Sequence, residues 1–128
     1  MAADIQIVPA IYEHIAPIAV HMRQADRDEV FTASGKSPFE ALEYSLKRSS
    51  LARTALVGGV PVVMFGVGDV NILAGVGAPW LLGTDAVEQH YVAFLRGSVE
   101  WRDQLLQRYS VLKNFVDVRN RASIRLLS

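Results

Sequence analysis

The sequence predicts a mixed α/β fold, a sheet that is partly antiparallel and partly parallel and carries helices. Two apolar segments, Arg53–Val57 and Val60–Val67, flank Gly58-Gly59, where two glycines supply the positive φ of a tight hairpin turn. A further apolar segment, Pro79–Leu82, precedes a long amphipathic run and then a strand-like stretch, Asn114–Val118, which is the order of a β-α-β unit. Helical patterns fill the interval between a short first strand and the hairpin.

Taken in order, Asp4-Ile5-Gln6-Ile7-Val8 alternates polar and apolar residues, the period of a half-buried strand, and Pro9 ends it. Ile11, Ile15, Ile18 and Met22 recur at three and four, predicting a first helix over about residues 10–24 with Pro17 at a kink. Asp26-Arg27-Asp28-Glu29 opens a second helical piece with acids in its first turn, and Gly35 closes it. Ser37-Pro38-Phe39-Glu40 reads as N-cap, proline at the first helical position and an acid in the first turn of a third helix, to about Ser49, that buries Leu42 and Leu46.

In the hairpin, Pro61 lacks an N–H and belongs at a strand start or on an unpaired side. The stretch Asp69–Gly77 reads as a glycine-rich loop leading into the strand Pro79–Leu82. A long helix is expected from Asp85 to Tyr109, with Val87, Tyr91, Phe94, Leu95, Trp101, Leu105 and Leu106 on one face and Gly97 as an interruption. Asn114–Val118 is a strand and Asn120–Leu127 a last helix.

Composition narrows the function classes. A chain of 128 residues reads as one domain, 1–128, with a core that needs no staples. Thirteen basic and thirteen acidic residues cancel, so no bulk field favours nucleic acid. The absence of cysteine removes disulfides, thiolate metal sites and a thiol nucleophile, and His14, His21 and His90 lack metal-ligand spacing, so no metal is expected. Met1-Ala2-Ala3-Asp4 has no basic segment followed by an apolar core, which predicts an intracellular protein. Asp69, Asn71, two prolines and several glycines break up the apolar region Ala55–Leu82, so no membrane span is expected. A hydrophobic content of 51% is high for a small monomer and points to self-association.

The order of elements, with Ala25-Asp26-Arg27-Asp28-Glu29-Val30, Met64-Phe65-Gly66-Val67, Gly77-Ala78-Pro79-Trp80-Leu81-Leu82-Gly83-Thr84 and Asn120-Arg121-Ala122-Ser123-Ile124-Arg125-Leu126-Leu127, resembles the GCN5-related N-acetyltransferase superfamily. More narrowly, it is similar to the acetyltransferase-like phage internal virion protein A family, over nearly the whole chain. The resemblance implies an acyl-CoA N-acyltransferase fold. Members continue past the last helix with a Gly-Phe turn and two further strands; this sequence stops at Ser128, so a fold shortened there is expected.

In catalytic members, as the resemblance implies, the loop after the central strand reads Gln/Arg-x-x-Gly-x-Gly/Ala, and its backbone N–H groups hold the coenzyme A pyrophosphate. The matching stretch here is Leu82-Gly83-Thr84-Asp85-Ala86-Val87-Glu88, with one glycine, no basic residue and two acids. Leu82, Gly83, Thr84 and Asn120 are the cofactor-binding candidates. Thr84 or Asp85 can instead cap the helix, and Asp85-x-x-Glu88 has capping-box spacing; two carboxylates there compensate the helix dipole and repel a pyrophosphate.

Many members carry Asn-x-x-Ala-x-x-x-Tyr on the last helix, the tyrosine protonating the departing thiolate. Asn120 and Ser123 keep that spacing, but Leu127 stands where the tyrosine would be and has no proton to donate. The catalytic candidates are Glu88, Asp117 and Asn120, each with a plain alternative: a helix-surface acid, a partner for Arg119 or Arg121, and an N-cap. Trp80 and Trp101 read as core, and Arg119, Arg121 and Arg125 as a basic cluster on a helix face.

Three readings follow. The first is a phage or prophage acetyltransferase-fold protein, non-catalytic or weakly active, in virion assembly or inside the virion, with itself or other phage structural proteins as partners. The second is an acetyl-CoA-dependent N-acetyltransferase. The third is a small peptide- or nucleic-acid-binding module.

Overall fold

The structure, a computed structural model, describes residues 4–113. Its strands are β1 (Ile5–Pro9), β2 (Leu51–Val57), β3 (Val60–Asn71), β4 (Val76–Gly83) and β5 (Val111–Leu112). Its helices are α1 (Ile15–Val20), α2 (Gln24–Ser34), α3 (Pro38–Arg48), α4 (Ala86–Gln89) and α5 (Tyr91–Arg108), with a 3-10 turn at Tyr12–His14 before α1. The strands form one open mixed sheet in the order β1-β2-β3-β4-β5. The first four are antiparallel neighbours, and β5 joins β4 in parallel after the α4–α5 crossover.

Strand alternation sorts the two faces of the sheet. Met64, Trp80 and Leu82 point to one face and pack with Ile15, Ile18, Met22, Val30 and Leu42 from the first three helices. Val63, Phe65 and Leu81 point to the other, against Val87, Phe94 and Leu95. Further along that face, Val67 packs with Leu105, Tyr109 and Trp101. The mixed α/β class expected from the sequence is therefore present, with helices on both faces.

Local chemistry explains the boundaries. Ser37 caps α3, its hydroxyl accepting from Glu40 N–H at 3.2 Å while the Glu40 carboxylate accepts from Ser37 N–H at 3.1 Å. Gly58 and Gly59, at φ of 57° and 82°, make the β2–β3 turn. Gly35, at φ of 68°, ends α2 in a left-handed C-cap.

Three expectations are corrected. The single helix over 10–24 is a 3-10 turn and a short α1 that stops at Val20; the Arg27 guanidinium donates to Ala19, Val20 and Met22 carbonyls and so satisfies the end of α1. Met22 is buried, as the helical period required, but it lies in an isolated antiparallel bridge to Thr84. The loop expected over Asp69–Gly77 is mostly strand, because β3 runs to Asn71, β4 starts at Val76, and four residues suffice for the turn. The helix expected from Asp85 to Tyr109 is broken at His90, whose φ of −119° and ψ of 42° are not helical, so Val87 on α4 and Phe94 on α5 both reach the same cluster.

The expected strand Asn114–Val118 and helix Asn120–Leu127 lie outside the described residues. Among the described residues no helix is long and apolar enough to cross a membrane.

Candidate functional site

The crevice beyond the C-terminal end of β4 is where an open α/β sheet usually receives a ligand. Backbone parity decides what β4 offers there. Thr84 N–H donates to the Val62 carbonyl at 2.9 Å, so the even-numbered residues of this segment turn toward β3. Gly77, Pro79, Leu81 and Gly83 therefore turn to the outer edge. Lys113 N–H donates to the Gly77 carbonyl at 2.8 Å, and Pro79 has no N–H to give.

Gly83, at the mouth of the crevice, is already engaged on that edge. Its N–H donates to Asp26 Oδ2 at 2.9 Å, and its carbonyl accepts from Arg23 N–H at 2.9 Å. Arg23 and Asp26 in turn form an ion pair, Nη2 to Oδ1 at 2.8 Å with a second contact from Nε to Oδ2 at 3.3 Å. Their relative exposures are 5% and 1%, so the clamp is fully inside the protein. Burial pushes the Asp26 carboxyl up from its ordinary pKa, and the Arg23 charge and the Gly83 N–H oppose that rise. The segment Met22–Asp26 thus lies against the Gly83–Thr84 end of β4 and takes up the Gly83 backbone groups.

The sequence candidates fall around this clamp. Leu82 belongs to the buried core with Met64 and Trp80. Thr84 is buried, and its hydroxyl accepts from Ala86 N–H at 3.3 Å, which makes it the capping residue of α4. The capping box expected of Asp85 and Glu88 does not form: Asp85 makes no side-chain cap bond, and Glu88 N–H reaches the Asp85 backbone carbonyl at 3.0 Å instead. Asp85 and Glu88 are exposed at the start of α4. Asp117 and Asn120 lie outside the described residues.

Arg23 and Asp26 were not singled out as site residues by sequence reasoning. Asp26 reads as an ordinary first-turn acid, and a contact across 57 residues leaves no local signal.

A second polar cluster lies elsewhere on the sheet. The Tyr109 hydroxyl donates to Asp69 Oδ1 and sits 2.7 Å from the Ser50 hydroxyl, and Trp80 Nε1 donates to Ser49 Oγ at 2.6 Å. These bonds tie the end of α5 and the core tryptophan to the α3–β2 junction. His14 Nδ1 accepts from Ile11 N–H at 3.3 Å and lies 2.7 Å from the Thr54 hydroxyl, while burial lowers its pKa.

The coenzyme A implied by the resemblance does not fit the described part of the crevice. A pyrophosphate needs free backbone N–H groups and a positive surrounding; Gly83 N–H is taken by a carboxylate, Thr84 serves Ala86, and Asp85 and Glu88 bring negative charge. No family model, curated protein or solved structure matches this chain.

Proposed function

We propose that this chain is an acetyltransferase-fold protein of phage or prophage type that has given up acetyl transfer and serves in virion assembly or as an internal virion component. The observation that carries the non-catalytic part is the Arg23–Asp26 clamp, which engages both backbone groups of Gly83 at the mouth of the crevice with the chain's own groups. Asp85 and Glu88 at the start of α4 and the leucine at position 127 support the same reading. The strand order, with β4 and β5 parallel at the end of an antiparallel sheet, supports the acetyltransferase-like fold. The phage assignment rests on the sequence resemblance.

Isothermal titration of the full chain with coenzyme A tests the non-catalytic reading. No heat up to millimolar ligand is expected, and micromolar binding overturns it. Mass spectrometry of purified phage particles from the host that carries the gene tests the virion placement: the chain is expected among the particle proteins, and its consistent absence counts against that placement.

An acetyl-CoA-dependent N-acetyltransferase is the second reading, favoured by one observation: Leu81 N–H faces outward from β4 and has no partner among the described residues. The same titration decides between the two.

A further inference from the structure

Among the described residues, strand β1 is an outer edge of the sheet, and its backbone groups divide by parity. Gly58 N–H donates to the Asp4 carbonyl at 3.0 Å and Ala10 N–H to the Ala52 carbonyl at 3.1 Å. With the unbroken register from Ile5↔Val57 to Pro9↔Arg53, the even-numbered residues of β1 turn toward β2 and Ile5, Ile7 and Pro9 turn outward. Pro9 has no N–H, so its outward position costs the sheet nothing. Ile5 and Ile7 each present an N–H and a C=O that no described residue meets, and the Ile7 side chain is 54% exposed.

Natural sheets protect such an edge with a lysine, a proline, an inward-pointing charge or a bulge. β1 carries only the proline, Pro9 at its far end, which leaves Ile5 and Ile7 open: no charged residue lies between Ile5 and Pro9, and the register has no shift.

We propose that a second copy of this chain pairs with β1 about a two-fold axis at Gln6, joining two sheets edge to edge. In an antiparallel register centred on Gln6, Ile5 of one copy stands opposite Ile7 of the other, and each outward N–H meets an outward C=O. The two Ile5–Ile7 pairs lie on one face of the joined sheet, where apolar cross-strand pairs are favourable. The charges also agree. The residue that meets its own copy at the axis is the neutral Gln6, and Asp4 falls opposite Val8 of the second copy, so no like charges are opposed. Alternatives fit less well: a centre on Ile7 would bring the outward group of Pro9, which lacks a donor, opposite Ile5.

This pairing goes beyond the functional reading above and does not depend on it, since coenzyme A binding can succeed or fail without touching β1. Sedimentation equilibrium on the full chain tests it. The wild type is expected to rise with concentration from 14.1 kDa toward twice that mass. Gln6→Glu and Gln6→Lys each place like charges across the axis and are expected to weaken association by about ten-fold or more, whereas an equimolar mixture of the two restores it. Gln6 is exposed, so both variants keep the monomer fold, which circular dichroism checks. Ile7→Pro removes an outward donor without touching the β1–β2 ladder and is expected to give a monomer as well. A wild type that stays monomeric at millimolar concentration overturns the proposal, as does a dimer that persists undiminished in Q6E, Q6K and I7P.

Discussion

The ring of Tyr109 occupies the space that a side chain on Gly77 would need: a β-carbon at position 77 would lie 2.8 Å from Tyr109 Cδ1 and 2.9 Å from Cγ. The end of α5 is thereby seated directly on the backbone of β4, beside the short parallel pairing of Val76–Gly77 with Val111–Leu112. Gly77→Ala is expected to destabilise the protein by about 1–3 kcal/mol through overpacking, read from urea unfolding. In a Tyr109→Leu background the same substitution costs less, and a double-mutant cycle gives the coupling.

Asp26→Ala leaves the Arg23 guanidinium buried without its counter-ion, and a loss of about 3–5 kcal/mol is expected. Exchanging both partners for apolar residues, as in R23M/D26L, is expected to recover part of that loss. What remains is the roughly 1–3 kcal/mol of the unpaired Gly83 N–H. Thermal or urea unfolding measures both, and a double variant no more stable than D26A would contradict the assignment.

His14 makes the fold sensitive to mild acid. Burial holds its pKa below the ordinary 6.5, and Nδ1 serves as an acceptor for Ile11 N–H, so the folded state favours the neutral ring. Folding then binds fewer protons than unfolding releases sites for, which places the sign: this contribution is fully present above the unfolded pKa and is lost as the pH falls through the folded one. His14→Gln is expected to flatten the stability profile over that window, measured as unfolding midpoints from neutral pH downward.

Ser37→Ala removes the hydroxyl that accepts from Glu40 N–H and is expected to cost about 0.5–2 kcal/mol. The Glu40 carboxyl is held below its usual range by the Ser37 backbone N–H first and the Ser37 side chain second. An NMR titration of S37A is therefore expected to show the Glu40 pKa moving up.

The parts of the fold that were legible in the sequence are those governed by local chemistry. Ser37-Pro38-x-Glu40 announced a helix start because each residue acts within one turn, and Gly58-Gly59 announced a hairpin because the conformation itself demands glycine. Gly77 misled for a related reason. Its glycine reads as loop, yet it is strand, and the need for it comes from a ring 32 positions on (109 − 77). The site was placed by the strand Pro79–Leu82 and the helix start that follows it, but its state was set by Asp26, and no pattern within one element records a carboxylate that bonds a strand 57 residues on. Met22 kept the helical period although the helix had ended, because its side chain is buried in the same core as Ile15, Ile18 and Leu42 while its backbone bridges to Thr84.

The bridge from Met22 to Thr84 also sets an order in time. During synthesis the chain emerges from its amino end, so Arg23 and Asp26 are made well before the glycine that completes their clamp. Until residue 83 arrives, the carboxylate has no strand to hold, and the early helices cannot close over β4. Closure of so long a loop carries an entropic cost that only contacts with the completed β4 can offset. The amino-terminal helices are therefore committed to their final packing late, by a strand made after them.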